Sequence, residues 1–363
     1  MIRAVDLFCG VGGLTHGLVR GGIRVVAGID VDSNCRFPYE CNNNATFVNK
    51  DASKLTGDDI RRLWRGHGHK MLAGCAPCQP FSTYSRKGRK TRADSKWCLV
   101  EEFARLALEA KPDYVTMENV PQLADHQVFA KFVEALTGYY VWHDVVECAH
   151  YGVPQTRKRL VLLASRRSPI RLLPPSSIKG PVQRNVRDTI GHLRRLTAGQ
   201  GDKNDLLHSA CKLSAINLRR IRASRPGGTW RDWDPSLRAP CHRRKTGDTY
   251  PSVYGRMEWD APAPTITTQC FGYGNGRFGH PKQDRAITLR EAALLQTFPE
   301  DYTFLAAGER VRFNVLGRLI GNAVPVRLGE VIAQSIVMNA VLRTSATPSR
   351  IRANERKLAV SVP

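Results

Sequence analysis

Short apolar runs, separated by stretches long enough to hold a helix, govern the first half of the chain. Arg3 to Phe8, Val25 to Asp30, Phe47 to Asn49, Met71 to Gly74 and Tyr114 to Met117 each read as a strand. Leu14 to Arg20 reads as a helix, and so does Val100 to Ala110, with Phe103, Leu106 and Ala107 on one face. Phe129 to Leu136 adds another helix, and Tyr140 to Cys148 with Arg159 to Ala164 form a closing pair of strands. Parallel strands need a crossover of a dozen or so residues, usually helical. This alternation therefore predicts a doubly wound α/β sheet.

The character changes near Ser165. From there to about Arg285 the chain is rich in Arg, Pro and Gly, with few periodic segments. Arg184, Arg187, Arg219, Arg220, Arg243 and Arg244 are among its basic residues. Thr265 to Thr268 reads as a strand there, with a glycine-rich loop from Gly272 to Arg277. Thr288 to Gln296 resumes a helical pattern, and Gly329 to Leu342 reads as a last helix with Val331, Ile332, Ile336 and Val337 on a buried stripe. The expected division is a catalytic domain of 1–180 plus 316–342, a smaller irregular or β domain of 181–285, a hinge of 286–315, and a basic disordered tail of 343–363.

Lys and Arg number 55 against 32 Asp and Glu, a formal net charge of +23. Such an excess favours a polyanion, nucleic acid first. No apolar run of about 18 residues exists, so no membrane helix is expected. No basic-then-apolar leader precedes the first strand, which fits a cytoplasmic protein with reduced thiols. Cys75 and Cys78 form a Cys-x-x-Cys pair, but no second pair completes a tetrahedral site, so no metal is expected. Cys75 is taken as a buried strand-end residue.

Four fragments carry the chemistry. Asp6-Leu7-Phe8-Cys9-Gly10-Val11-Gly12-Gly13 places glycines between a strand and a helix, where a ligand can approach the backbone. Ala76-Pro77-Cys78-Gln79 fixes a thiol between prolines. Glu118-Asn119-Val120 follows a strand, and Gln155-Thr156-Arg157-Lys158-Arg159 comes after it. Their order, together with Gly321-Asn322-Ala323-Val324-Pro325, resembles the DNA (cytosine-5) methyltransferases of prokaryotic restriction-modification or orphan type, from Val5 to about Leu328.

The resemblance implies a Rossmann-like domain that uses S-adenosylmethionine, and a target-recognition domain at 181–285. It implies cofactor contacts from Asp6, Phe8, Gly10, Val11, Gly12, Gly13, Asp30, Val31, Asp51, Ala52, Pro77, Asn322, Ala323 and Val324. Asp30 would hold the ribose, with Asp32 as competitor, and Asp51 would accept from the adenine amino group. Each Asp also fits a turn or helix cap. Cys78 would be the nucleophile, Glu118 the acid at cytosine N3, and Arg159 the donor to the cytosine carbonyl. Arg157 would reach the same pocket or a phosphate. The target base must leave the duplex, and the basic segment Ser82 to Trp97 resembles a loop that closes over DNA. The expected partner is double-stranded DNA, with a monomeric protein and a cognate restriction endonuclease. A tRNA cytosine-5 methyltransferase and a non-catalytic DNA-binding relative are the alternatives.

Overall fold

The computed structural model describes residues 1–77, 94–178, 180, 183–244, 247 and 250–344. Cys78 and most of the basic segment Ser82 to Trp97 lie outside the described residues, as does the expected tail beyond Thr344.

β1 (Ile2–Leu7) pairs in parallel with β2 (Arg24–Asp30) on one side and β4 (His69–Gly74) on the other. β3 (Thr46–Asn49) extends the sheet beyond β2, and β5 (Tyr114–Asn119) beyond β4. β7 (Lys158–Ser165) then inserts antiparallel between β5 and β6 (Tyr140–Glu147), giving the order β3-β2-β1-β4-β5-β7-β6. All the strands expected in the first half form, closing pair included. The chain order turns back between β1 and β4, where the crevice at the strand ends of such a sheet takes ligands.

Both faces are covered, so the central strands are mostly apolar. Ile2 and Ala4 of β1 pack on one side, Val5 and Leu7 on the other. The first side takes α1 (Gly13–Arg20), α2 (Arg36–Asn43) and the long α10 (Val326–Thr344) through Leu14, Leu18, Tyr39 and Ile332. The second takes α3 (Gly57–Leu63), α4 (Asp94–Ala110) and α5 (Gln127–Ala135) through Ile60, Phe103 and Phe132. α10 starts three residues before the expected Gly329 and runs to Thr344, so the expected tail loses its first two residues to a helix. The last four residues of the expected basic loop likewise belong to α4.

One packing device decides where the site can be. Gly13, Gly17 and Gly21 recur every fourth residue along α1, and α10 lies against them. A Cβ on Gly17 would stand 2.7 Å from Gly329 Cα and 2.8 Å from Glu330 N. Backbone meets backbone here. As a result the turn entering α10 sits on the start of α1, where a Cβ on Gly13 would strike the Val324 carbonyl.

The region 181–285 contains α6 (Val186–Ile190), α7 (Ala215–Ala223), short 3-10 turns and isolated bridges, and no strand among its described residues. Thr265 to Thr268, expected as a strand, forms no ladder, and Thr268 already begins a turn. The region is thus irregular, as the first of the two expected characters has it: Thr265 to Thr268 has no strand partner, and Gln155 and Arg157 hold the Ile266 backbone instead. Trp230, Trp233, Ile221, Val253 and Tyr273 make a small core of their own, while Val186, Met257, Ile266 and Phe278 join the main one. α8 (Leu289–Leu295), inside the expected hinge, is packed in the main core, and α9 (Phe313–Asn322) leads to the turn before α10.

Candidate active site

The carboxyl ends of β1, β4 and β5 stand side by side, with Leu7 opposite Gly74 and Gly74 opposite Met117. Phe8, Cys75 to Pro77, and Glu118 with Asn119 thus emerge at one edge of the sheet. Asn119 is buried and donates from Nδ2 to the Ala76 carbonyl at 2.9 Å, while its Oδ1 accepts from Val120 N. It pins the backbone two residues before Cys78 to the end of β5.

Glu118 is 2% exposed. Arg159 Nε, from β7, stands 2.7 Å from its Oε1. The approach is off the line of a hydrogen bond, so Oε1 keeps an unfilled acceptor position. Oε2 accepts the thiol of Cys75 at 2.8 Å. Cys75 is accordingly no inert strand-end residue, contrary to expectation: the pairing of β4 with β5 brings it beside the acid.

Gln155 and Arg157 are buried, which removes a surface role for this motif. Gln155 accepts from Ile266 N and donates to the Leu295 carbonyl and to Gln296 Oε1. Arg157 donates to the carbonyls of Ile266 and Ala323 at 3.1 and 3.3 Å. Burial pulls its guanidinium down to about 10. Its expected contact with a phosphate is not open to it in this arrangement. It instead ties the stretch that carries Arg159 to the turn at Ala323, with its own Nε left without a partner. Gln296 completes the brace by donating to the carbonyls of Ile320 and Ala323. The sequence places Gln296 at the end of a helical pattern but assigns it no site role.

At the glycine loop, Phe8 takes a positive φ of 56° and Gly12 one of 87°. Gly10 has no heavy atom within 4 Å of where a Cβ would lie, so its face is open. Asp30 accepts Gly10 N on Oδ2 and Asp32 N on Oδ1, both at 2.9 Å. Burial pushes its carboxyl up. Each oxygen retains a lone pair, which suits a pair of vicinal hydroxyls. Val31 beside it is 66% exposed, an apolar surface at the mouth. Asp6, fully buried, accepts from Thr15 on Oδ2 and leaves Oδ1 orphaned. Tyr302 donates to the Val11 carbonyl and thereby holds the loop from behind. Asp32 pairs with Arg318 of α9 at 2.6 Å and caps the turn at Ser33, as the cap alternative foresaw. Asp51 likewise caps the turn Ala52–Lys54 and accepts from Ser53. An open glycine face, a doubly held carboxylate and an exposed apolar rim fit a nucleoside attached to a charged chain. Asn322, Ala323 and Val324 close the far side through the contact of Val324 with Gly13.

Among the described residues every cysteine is a free thiol, no cluster of His, Cys, Asp or Glu could hold a metal, and no helix is long and apolar enough to cross a membrane.

Residues 2–338 match the family described as C-5 cytosine-specific DNA methylase. The Type II methylase M.HgiDII of Herpetosiphon aurantiacus is 53% identical over 342 residues, 93% of this chain and 95% of that one. The Type II methyltransferase M1.HphI of Haemophilus parahaemolyticus is 30% identical, over 92% and 86% of the two chains. Among solved structures, a prophage-encoded E. coli protein superposes with a TM-score of 0.71 at 22% identity, over 93% of this chain and 99% of that one. The S. pombe Dnmt2 methyltransferase does so with 0.64 at 17%, over 94% and 100%. These two likenesses speak for the fold.

Proposed function

The chain belongs to the C-5 cytosine-specific DNA methylase family and is a DNA (cytosine-5) methyltransferase, and we propose that catalysis runs through Cys78, Glu118 and Arg159 on a cytosine turned out of double-stranded DNA. The observation that carries this is the tether from Asn119 to Ala76, which fixes the root of the Cys78 loop beside a buried carboxylate with an open oxygen.

Cytosine C5 is a weak nucleophile until a thiolate adds to C6. In this reading Cys78 forms that bond, and the electron pair of the C5–C6 double bond becomes available at C5. Glu118 holds a proton at ring N3 and so takes up the charge that addition creates. Arg159, paired with Glu118 and 13% exposed in its side chain, donates to the carbonyl oxygen of the ring. Arg157 acts behind it as a brace. S-adenosylmethionine, when bound, supplies a methyl group on a sulfonium centre. Once C5 carries the methyl group, its proton passes to a water molecule, the C–H electron pair re-forms the C5–C6 double bond, and the C6–S bond breaks to release the Cys78 thiolate and leave 5-methylcytosine.

The cofactor reading assigns the ribose to Asp30, the adenine rim to Phe8, Val31, Asp51 and Ala52, and the charged end to Asp6 and the loop Gly10 to Gly13. Pro77 and Asn322 to Val324 complete the enclosure. The region 181–285 selects the target, supported by its separate small core and by exposed Arg219, Arg222, Arg225, Arg231, Arg243 and Arg244. Such residues bind phosphates at any sequence, and a few of them read base edges. The likeness to Type II methylases supports a restriction-modification role with a partner endonuclease for a monomeric enzyme.

The test is covalent trapping on DNA in which 5-fluorocytosine replaces cytosine, since fluorine cannot leave as the proton does. A cofactor-dependent, denaturation-resistant complex is expected for the parent and not for Cys78→Ser. A parent that leaves no such complex refutes the covalent route.

A further inference from the structure

The two oxygens of Glu118 stand in unequal surroundings. Oε2 is engaged by the Cys75 thiol at 2.8 Å. Oε1 is buried beside the Arg159 guanidinium yet lacks an aligned donor. This asymmetry follows from the sheet: Gly74 lies opposite Met117 in the parallel pair β4 and β5, so residues 75 and 118 come one step further along neighbouring strand ends. A carboxyl group held on one side only can rotate about its last bond. One held on both sides cannot without breaking a contact. The charged and titratable groups that bear on this carboxyl are Arg159 of β7, Arg157 just before it, Cys148 after β6, and Cys75 itself.

We infer that Cys75 is a positioning residue for the methyl-transfer reaction, whose S–H fixes the Glu118 carboxyl so that Oε1, and not Oε2, meets the ring nitrogen of the flipped cytosine. This rests on the reading of Glu118 as the acid. The thiol occupies Oε2, while the Arg159 guanidinium lies off the line of a hydrogen bond to Oε1, so Oε1 is the oxygen open to share the transferable proton with the base. The proton passes between Oε1 and the base and returns there. Cys75 keeps its own proton throughout and makes no covalent bond. Its task is distinct from that of Cys78, three residues on.

A thiol is a weak donor, so the effect is modest and readable. Full-length parent, Cys75→Ala, Cys75→Ser and Glu118→Gln are compared in steady-state methyl transfer to bulk DNA from about pH 5 to about pH 9. Cys75→Ala is expected to lower kcat roughly three- to tenfold, the span of one modest hydrogen bond. KM for S-adenosylmethionine and for DNA should stay within about twofold, because the contact matters at the transition state. Removal of a donor to the carboxylate disfavours its charged form. The limb of the kcat profile that reports the acid therefore moves to higher pH in Cys75→Ala. Cys75→Ser, with a hydroxyl donor in the same place, should return both rate and limb to within about twofold and a few tenths of a pH unit of the parent. A Cys75→Ala enzyme with the parent's kcat and profile, alongside an inactive Glu118→Gln, overturns the role of Cys75 alone. A lowered kcat with an unmoved limb that serine does not restore shows a merely structural residue and also overturns it. Parent-like rates in Glu118→Gln overturn the acid assignment and this inference with it. If Cys75→Ala does not yield folded protein, Cys75→Ser decides: a tenfold loss with a displaced limb in that variant refutes the proposal.

Discussion

Gly17→Ala puts the packing of α1 on α10 to a test in which two effects oppose each other. Intrinsic helix propensity favours alanine over glycine by about 1 kcal/mol. Taken alone it makes the substitution stabilising. The structure gives the opposite sign. The added Cβ would meet Gly329 Cα at 2.7 Å, Glu330 N at 2.8 Å and the Val326 carbonyl closer still, whereas ordinary contact begins at 3.4 Å. All of these are backbone atoms, which cannot turn aside as a side chain can. α10 must retreat by several tenths of an ångström along a buried seam. Overpacking of this kind costs roughly 1–3 kcal/mol and occasionally more. Three backbone obstacles place it at or above the top of that range, so about 2–3 kcal/mol of net destabilisation remains after propensity is subtracted. For a chain of this size that is a fall in Tm of about 3–4 °C. The same retreat moves the turn at Asn322 to Val324 off Gly13, so affinity for S-adenosylmethionine should fall as well. Scanning calorimetry and equilibrium cofactor titration read the two effects. Val19→Ala, on the exposed face of the same helix, should stay within about 0.5 kcal/mol of the parent. A Gly17→Ala protein that melts at or above the parent temperature would refute the reasoning.

Two further outcomes are expected. Burial outweighs the Thr15 hydrogen bond and pushes the Asp6 carboxyl up to about 7, with Asp30 adding to the rise. A carboxyl with a raised folded value contributes stability that is complete below its unfolded value of about 4 and is lost as pH rises through about 7. Relative to Asp6→Asn, the parent should therefore lose Tm between about pH 4 and pH 7; parallel melting curves across that window would contradict the burial argument. Exchange of residues 181–285 for the matching segment of a relative with a known target should transfer the target, read by mapping methylated cytosines. A folded, active chimaera that keeps the original target would remove the recognition role from this segment.

The sheet was legible because its central strands are mostly apolar and its helices carry a 3.6-residue stripe. Even the antiparallel closing pair could be read from Tyr140 to Ala164. α2 was not, since Arg36-Phe37-Pro38-Tyr39-Glu40 offers little apolar periodicity and forms as a helix against the sheet through Tyr39. Thr265 to Thr268 shows the reverse error. Its composition suits a strand, yet no neighbour offers a ladder, and Gln155 and Arg157 take up the Ile266 backbone in its place. The site divides along the same line. Residues inside motifs were assigned roles through the family resemblance those motifs carry. The contact of Cys75 with Glu118, 43 positions apart, depends on the register of β4 against β5. The Gln155 and Gln296 pair, 141 positions apart, depends on tertiary docking. No local pattern encodes either.

The seam between α1 and α10 also sets a schedule for the growing chain. The glycine loop at Gly10 to Gly13 is made early, but its cover at Asn322 to Val324 follows more than three hundred residues later. At a ribosomal rate of about 5–20 residues per second, that gap lasts roughly 15–60 s. Throughout it, Leu14 and Leu18 of α1 lack Ile332 and its neighbours, and the loop lacks one wall. A ribosome-bound fragment that stops short of Val324 is thus unable to close around its cofactor and exposes an apolar helix face. Methylating capacity arrives late and all at once.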